Sequence, residues 1–301
     1  MSLAAYRETL RSAESGAGLT LDAAPLKDIV WHVPEDMTVK VGAGARLSDL
    51  QEKLSEARQW LPLDPWNCDA SIKRIIDENL HGPRRFGHGT VREHLIGMDI
   101  LLADGRLIEA GGNVVKNVAG YDLMKLFVGA RQSLGIVVGA TFKLLPLPRR
   151  EVLLQRECGT ASEAAALTGD LLASPVCPIV LDWHGTAHGP VNIITGFAGE
   201  EADVAWQLAE AASMGFIELR EMKHDSRFFS SRGGDAPRCS VLPSKLADTI
   251  AGFGDEEFVA RAGNGTVWCD AIVANPGVGP AQLFQRLKAM FDPRGILPPL
   301  P

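Results

Sequence analysis

The order of its predicted elements places this chain in the α+β class. Two stretches carry that reading. "HLIGMDILLADGRLIEAGG" (94–112) reads as two strands joined by Asp104–Gly105, and an Asp-Gly pair between apolar runs is a strong signal of a tight antiparallel hairpin. Beyond residue 150 the pattern runs strand, helix, strand, strand, helix, the order produced by an antiparallel sheet with helices on one face. A third stretch, 110–146, sets Gly111, Gly112, Gly120, Gly129, Gly135 and Gly139 between apolar runs. Bare backbone there serves a turn, a close packing contact, or a ligand lying against the main chain.

Residues 3–14 (LAAYRETLRSAE) carry apolar positions at helical spacing, with Gly16 and Gly18 as a stop. "GLTLDA" and "DIVWHV" read as short strands, and "MTVKVGAGA" as a strand ending in a glycine turn. "LSDLQEKLSEARQWL" (47–61) is an amphipathic helix with Ser48 as expected N-cap, and "SIKRIIDENLHG" (71–82) a helix closed by Gly82. After the hairpin come a helix, "YDLMKLFVG", and a β-rich stretch, "GIVVGATFKLLPLP". "LPLPRRE" marks a boundary near residue 150. Strand "EVLLQREC", helix "SEAAALTGDLLAS", strands "PIVLDWHG" and "PVNIITGFAG" and helix "EEADVAWQLAEAASMG" follow. The last helix is stopped by Asp292–Pro293.

The 301 residues allow two domains, and a 46% hydrophobic fraction allows sizeable cores. A formal charge of −7 opposes broad nucleic-acid binding, which needs clustered positive charge. No apolar run approaches a membrane span, and the first residues lack the apolar core of a secretion signal. Cys68, Cys158, Cys177, Cys239 and Cys269 are far apart and form no C-x-x-C pair, the pattern of reduced thiols in a cytoplasmic protein. His184 and His188 are four apart, but "DWHGTAHGP" reads as a loop with surface histidines, and no metal site is expected.

Four blocks resemble a known family. They are "EDMTVKVGAGARLSDLQEKL", "HGPRRFGHGTVREHLIGMDILLADGRLIEAGG", "VVKNVAGYDLMKLFVGARQSLGIVVGATFKLLP" and "LKAMFDPRGILPP". Together they resemble the FAD-binding subunits of bacterial glycolate oxidase, within the vanillyl-alcohol-oxidase (PCMH-type) flavoproteins. The resemblance implies a two-subdomain FAD-binding domain over 1–150, divided at about 1–58 and 59–150. It also implies an antiparallel-sheet cap over 151–285 and a segment, 286–301, returning to the first domain. FAD would take electrons from a short 2-hydroxy acid and partner subunits would carry them onward. The positions that match the family's cofactor-side motifs are Gly82, Pro83, Arg84, Arg85, Lys116, Asn117, Gly120, Tyr121, Gly129, Ser133 and Gly135. The sequence singles out no catalytic residue. For Arg84 and Arg85, holding an anion and forming a solvated pair remain equal readings.

The chain departs from the family pattern at three places. Such flavoproteins hold the FAD diphosphate on two glycine-rich loops, because burying two negative charges requires fixed donors in place of water. The first loop, of the form P-R-G-G-G-T, has no counterpart before Thr38, leaving Ser15–Gly18 as a helix stop. The second, of the form A-T-I-G-G, reads Ala70–Ser71–Ile72–Lys73–Arg74, with Lys73 and Arg74 on the expected solvated face of a helix. Gln132 adds bulk in a turn that the family usually builds with glycine and threonine. The alternative is therefore a relative that keeps the fold, binds FAD weakly or not at all, and acts as a structural or assembly subunit.

Overall fold

The computed structural model describes residues 3–112, 122–232, 236–272 and 281–301. Main-chain contacts divide the chain into two units, the first of residues 1–81, 90–147 and 277–301 and the second of 82–89 and 148–276. The expected mixture of helices and antiparallel sheets is what both contain.

In the first unit, α1 (Leu3–Ser12) precedes β1 (Ile29–Val33), β2 (Thr38–Gly42), α2 (Leu47–Ser55), β3 (Gln59–Trp60) and α3 (Ile72–Glu78). The chain then contributes α4 (Arg85–His88) to the second unit. It returns with α5 (Val91–His94), β4 (Leu95–Leu101), β5 (Leu107–Gly111), α6 (Met124–Phe127), β6 (Ile136–Lys143) and β7 (Leu145–Pro146). Five strands form one antiparallel sheet in the order β1-β2-β6-β4-β5. Its core joins Val39 and Val41 of β2 to Leu47, Leu50 and Leu54 of α2 and Ile72, Ile75 and Ile76 of α3. The i, i+3, i+7 spacing in α2 and the i, i+3, i+4 spacing in α3 put each set on one helical face.

The expected hairpin is β4–β5, and Gly105 takes the left-handed conformation (φ 82°) its turn demands. Several expectations give way to local geometry. Helix α2 stops at Ser55 because Arg58 turns left-handed (φ 54°) and delivers Gln59–Trp60 to pair with β7. Its N-cap is Arg46, not Ser48. Helix α3 closes at left-handed Asn79, not at Gly82. "GLTLDA" forms no strand. Leu19 donates its N–H to Ile296 O (2.7 Å), so the segment runs along the chain's last residues instead of joining a sheet. Tyr6 and Leu10 of α1 pack there with Leu21, Leu101, Ile296 and Leu297.

The second unit continues with β8 (Arg150–Cys158), α7 (Ala161–Ala173), β9 (Val180–Thr186), β10 (Val191–Gly199), α8 (Glu201–Ser213) and β11 (Ile217–Leu219). Next are α9 (Lys223–Arg232), β12 (Arg238–Ser240), α10 (Leu246–Ala251), β13 (Glu257–Arg261) and β14 (Thr266–Cys269). Seven strands form an antiparallel sheet in the order β11-β8-β10-β9-β13-β14-β12. Strand alternation sorts the residues by face. Leu181, Trp183, Ile193, Phe197, Phe258, Ala260 and Val267 share an apolar core with Ala164 and Leu171 of α7, Val204 and Ala211 of α8, and Leu246 and Ile250 of α10. Asp182, His184 and Arg261 fall on the other face, where α9 meets them through Asp225. The last helix, α11 (Ala281–Phe291), belongs to the first unit.

Candidate functional site

The residues expected beside a cofactor fall into three groups. Lys116, Asn117, Gly120 and Tyr121 lie outside the described residues. Gly129, Ser133 and Gly135 belong to the first unit, and Gly82, Pro83, Arg84 and Arg85 to the second.

In the first unit the turn after α6 brings Gly129 and Ser133 to a cavity of about 330 Å3, shared with Leu126, Leu134, Phe284 and Leu287. Arg92 and Lys125 stand at this cavity, but their charge is directed elsewhere. Arg92 donates to Lys125 O (3.3 Å) and Val128 O (3.2 Å), and Lys125 pairs with Asp122 (3.0 Å). The space is mainly apolar and lies at the lower end of small-molecule sites, which run from roughly 300 to 1,000 Å3. It suits a flat apolar ring better than a highly charged group.

Backbone amides test the fit to a diphosphate. Gly42 N donates to Asp28 O (2.9 Å), Ala43 N to Val138 O (3.1 Å) and Gly44 N to Leu26 O (2.8 Å). At the start of α3, Ile72 N donates to Ala45 O (2.9 Å), Lys73 N to Ala43 O (2.7 Å), and Arg74 N to the Ser71 hydroxyl (3.2 Å). In the third turn, Gly129 N donates to Ile76 O (2.9 Å), Arg131 N to Asp77 O (3.1 Å) and Ser133 N to Ala130 O (2.9 Å). A diphosphate needs several such donors converging on open space. The amides named in these three turns are aimed at protein carbonyls and, for Arg74, at the Ser71 hydroxyl, so they do not fit that group.

The glycines in these turns answer to packing. A Cβ on Gly42 would stand 2.1 Å from Leu26 O, one on Gly44 1.8 Å from Ala23 O, and one on Gly135 2.8 Å from Ile100. At Gly42 and Gly44 the close neighbour is the chain's own backbone, and at Gly135, expected beside the cofactor, it is the Ile100 side chain. Gln132 has a related role: left-handed itself (φ 66°), it accepts a hydrogen bond from Leu21 N (3.4 Å).

Lys73 corrects the sequence reading. It is buried, not solvated, and its ammonium meets the Asp77 carboxylate at 2.6 Å. Burial pushes the Asp77 carboxyl up, against the opposing pull of Lys73. Arg74 pairs with Glu78 at 3.0 Å across one helical turn. Neither cation projects as an open anion holder.

In the second unit, Gly82 and Pro83 are buried and lead into α4. Gly87 N donates to Ile179 O (3.0 Å), and the Phe86 ring covers Gly263, where a Cβ would stand 2.1 Å away. Arg84 is neutralised by Glu151 (2.7 Å), and Arg85 donates to the Thr266 hydroxyl (3.4 Å). Beside them His88 is held below its ordinary pKa, first by burial and then by the Arg84 charge.

A further cluster escaped the sequence reading. Asp182 and His184 are strand residues on one face of β9 and both are buried, while His188 lies exposed at the following turn. Arg261 of β13 donates from Nη1 to Asp182 Oδ2 (2.5 Å) and Asp225 Oδ1 (2.6 Å). The alternation Val-Leu-Asp-Trp-His held the signal, since Trp183 faces the apolar core and its neighbours cannot. Gly185, Gly189 and Pro190 drew the reading towards a loop.

Residues 7–111 match the family described as FAD binding domain. The chain is 36% identical over 142 residues to glycolate oxidase subunit GlcE of Escherichia coli (strain K12), covering 46% of this chain and 41% of that one. It is 34% identical over 167 residues to glycolate oxidase subunit GlcD of Bacillus subtilis (strain 168), covering 55% and 36%. A D-2-hydroxyglutarate dehydrogenase of Xanthomonas citri pv. viticola is 30% identical over 259 residues, covering 72% and 54%. The chain thus spans less than half the length of the glycolate oxidase subunits it matches. In architecture it resembles alkyldihydroxyacetonephosphate synthase, with a TM-score of 0.69 at 14% identity, covering 92% of this chain and 66% of that one. That likeness speaks for the fold, and with the sequence matches it leads to one conclusion: residues 7–111 are similar to the FAD binding domain family, and the chain is similar to subunits of bacterial glycolate oxidase.

Proposed function

We propose that the chain is an FAD-type subunit of a multi-subunit oxidoreductase related to glycolate oxidase. The complex oxidises a short 2-hydroxy acid and passes the electrons to a partner. The observation that carries this reading is the joint match of residues 7–111 to the FAD binding domain family and of the chain to two glycolate oxidase subunits. Several further relatives are D-lactate dehydrogenases, which act on another 2-hydroxy acid. Among the described residues, no helix is long and apolar enough to cross a membrane.

On this reading the apolar cavity beside Gly129 and Ser133 contributes to the flavin side of the site. The diphosphate finds its donors outside the three described turns, for example on a second subunit, because the amides named in those turns already meet protein acceptors. FAD supplies the two-electron chemistry when bound. The family matches favour this reading over a purely structural or assembly subunit.

One experiment separates the two. The chain is purified alone and after co-expression with a GlcD-like subunit, and flavin is counted per chain. The proposal expects one retained flavin per copy of this chain in the complex, with oxidation of short 2-hydroxy acids by a dye acceptor. A complex whose only flavin travels with the partner would sink it and leave the assembly role.

A further inference from the structure

The second unit holds a buried polar cluster with no part in the proposed flavin chemistry. Asp182 and His184 come from β9, Asp225 from α9 and Arg261 from β13. Their exposures are 0%, 3%, 4% and 2%. One ligand atom each from Asp182, His184 and Asp225 can be chosen so that all three lie within 4.8 Å of one another. Two carboxylates and an imidazole at that spacing are the donor set of a divalent-metal site, which often completes its coordination with water. Among the described residues, two atoms of the three candidate donors have no hydrogen-bond partner, His184 Nε2 and Asp182 Oδ1. The imidazole nitrogen stands 3.8 and 3.9 Å from the two carboxylates, too far for hydrogen bonds.

The place where a metal would bridge the carboxylates is taken. Arg261 Nη1 lies 2.5 Å from Asp182 Oδ2 and 2.6 Å from Asp225 Oδ1. A divalent ion on those oxygens would meet the guanidinium at close range and be repelled. The guanidinium is also held by its surroundings, with its carbon 5.6 Å from the Phe229 ring centroid and 5.5 Å from that of Trp268. His224 stacks on His184 with ring centroids 5.2 Å apart.

We propose that Asp182, His184 and Asp225 form a three-donor cation pocket in which Arg261 takes the place of a divalent metal. The second unit is thereby clasped across two strands and a helix without metal. A guanidinium keeps its charge at every pH at which a protein stays folded, and no chelator removes it. A metal clasp would have neither property.

The probe is Co2+, whose visible absorption reports nitrogen and oxygen ligands. Wild-type protein, dialysed against EDTA, is expected to take up no stoichiometric Co2+, and its Tm should respond to neither Co2+ nor EDTA. Arg261→Ala should lose stability and gain one Co2+ per chain, with an affinity at least about a hundredfold above any residual wild-type binding. Added Co2+ should raise its Tm. The double variant Arg261→Ala/Asp182→Asn should lose that uptake. If Arg261→Ala accumulates only when Co2+ or Zn2+ is in the growth medium, and carries one ion, the proposal stands. Stoichiometric metal in the wild type would overturn it. So would Arg261→Ala that folds without taking up metal, or that is insoluble with and without it.

Discussion

Replacing Asp292 by alanine should unfasten the end of the first unit. Asp292 follows α11 and is 2% exposed. Its Oδ1 accepts from Ile296 N (3.0 Å) and its Oδ2 from Leu297 N (2.9 Å). Lys288 Nζ, 2.6 Å from Oδ2, also donates to Ser133 O, Leu297 O and Pro298 O. Alanine leaves two buried amides without acceptors, at about 1–3 kcal/mol each, and removes a charge-assisted bond of about 1.5–3 kcal/mol. Lys288 keeps three carbonyl partners, so its own charge is not orphaned. Allowing for overlap among these contributions, the loss should be about 3–5 kcal/mol.

The assay is urea unfolding followed by circular dichroism, with hydrogen exchange at Ile296 and Leu297 to localise the effect. Asp292→Asn, which keeps one acceptor, should fall between the two. The pH dependence has a definite sign. Burial alone would raise the Asp292 carboxyl, but Lys288 and the amides of Leu297 and Ile296 outweigh it and hold it below the ordinary range. A depressed carboxyl stabilises fully above its unfolded pKa, about 3.9, and loses that contribution as pH falls through the folded value. The gap between wild type and Asp292→Ala should therefore narrow in acid. A loss below about 1 kcal/mol, with exchange at Leu297 unchanged, would refute the reasoning.

Four further outcomes are expected. Lys73→Ala should cost about 3 kcal/mol in chemical unfolding, because Asp77 would stay buried without its ammonium; a neutral result would show the pair to be solvated after all. Gly169→Ala, mid-helix in α7 with nothing within 4 Å of the new methyl, should raise stability by about 0.5–1 kcal/mol. Gly44→Ala should instead lose at least about 2 kcal/mol, since its methyl would meet Ala23 O at 1.8 Å; equal Tm values for these two variants would contradict both. His224 is lowered to about 4, first by burial and then by neighbouring His184. Neutral His224 therefore supports the fold fully above the ordinary value near 6.5, and that support fades as pH drops towards 4. An NMR titration midpoint near 6.5 would reject this.

The parts of this fold that could be read from sequence are those governed by neighbouring residues. Asp104–Gly105 encodes its own turn, and Leu47, Leu50 and Leu54 encode the buried face of α2. What stayed hidden depends on distant partners. "GLTLDA" alternates like a strand, yet Leu19 bonds to Ile296, which no local pattern announces. Lys73 sits among charged residues in sequence, and only the packing of α3 against Ala43 and Ala45 buries it beside Asp77. Of the candidate site, the glycine positions were legible but their purpose was not, because glycine answers a nearby carbonyl and a ligand alike. Arg261 was invisible because its two carboxylates lie 79 and 36 residues away.

The bonds between the earliest and latest parts of the first unit bear on the order of its synthesis. Gly16 N reaches Gly295 O, Leu19 N reaches Ile296 O, and the Arg294 guanidinium gathers the carbonyls of Leu10, Arg11 and Ala13 at the end of α1. On the ribosome, α1 must wait for residues some 280 positions later before its final turn is satisfied. Among the described residues the strands of the seven-stranded sheet end at Cys269, so the sheet can form before the closing segment is in place. A released chain truncated before Asp292 should thus present a protease-resistant second unit and a cleavable α1.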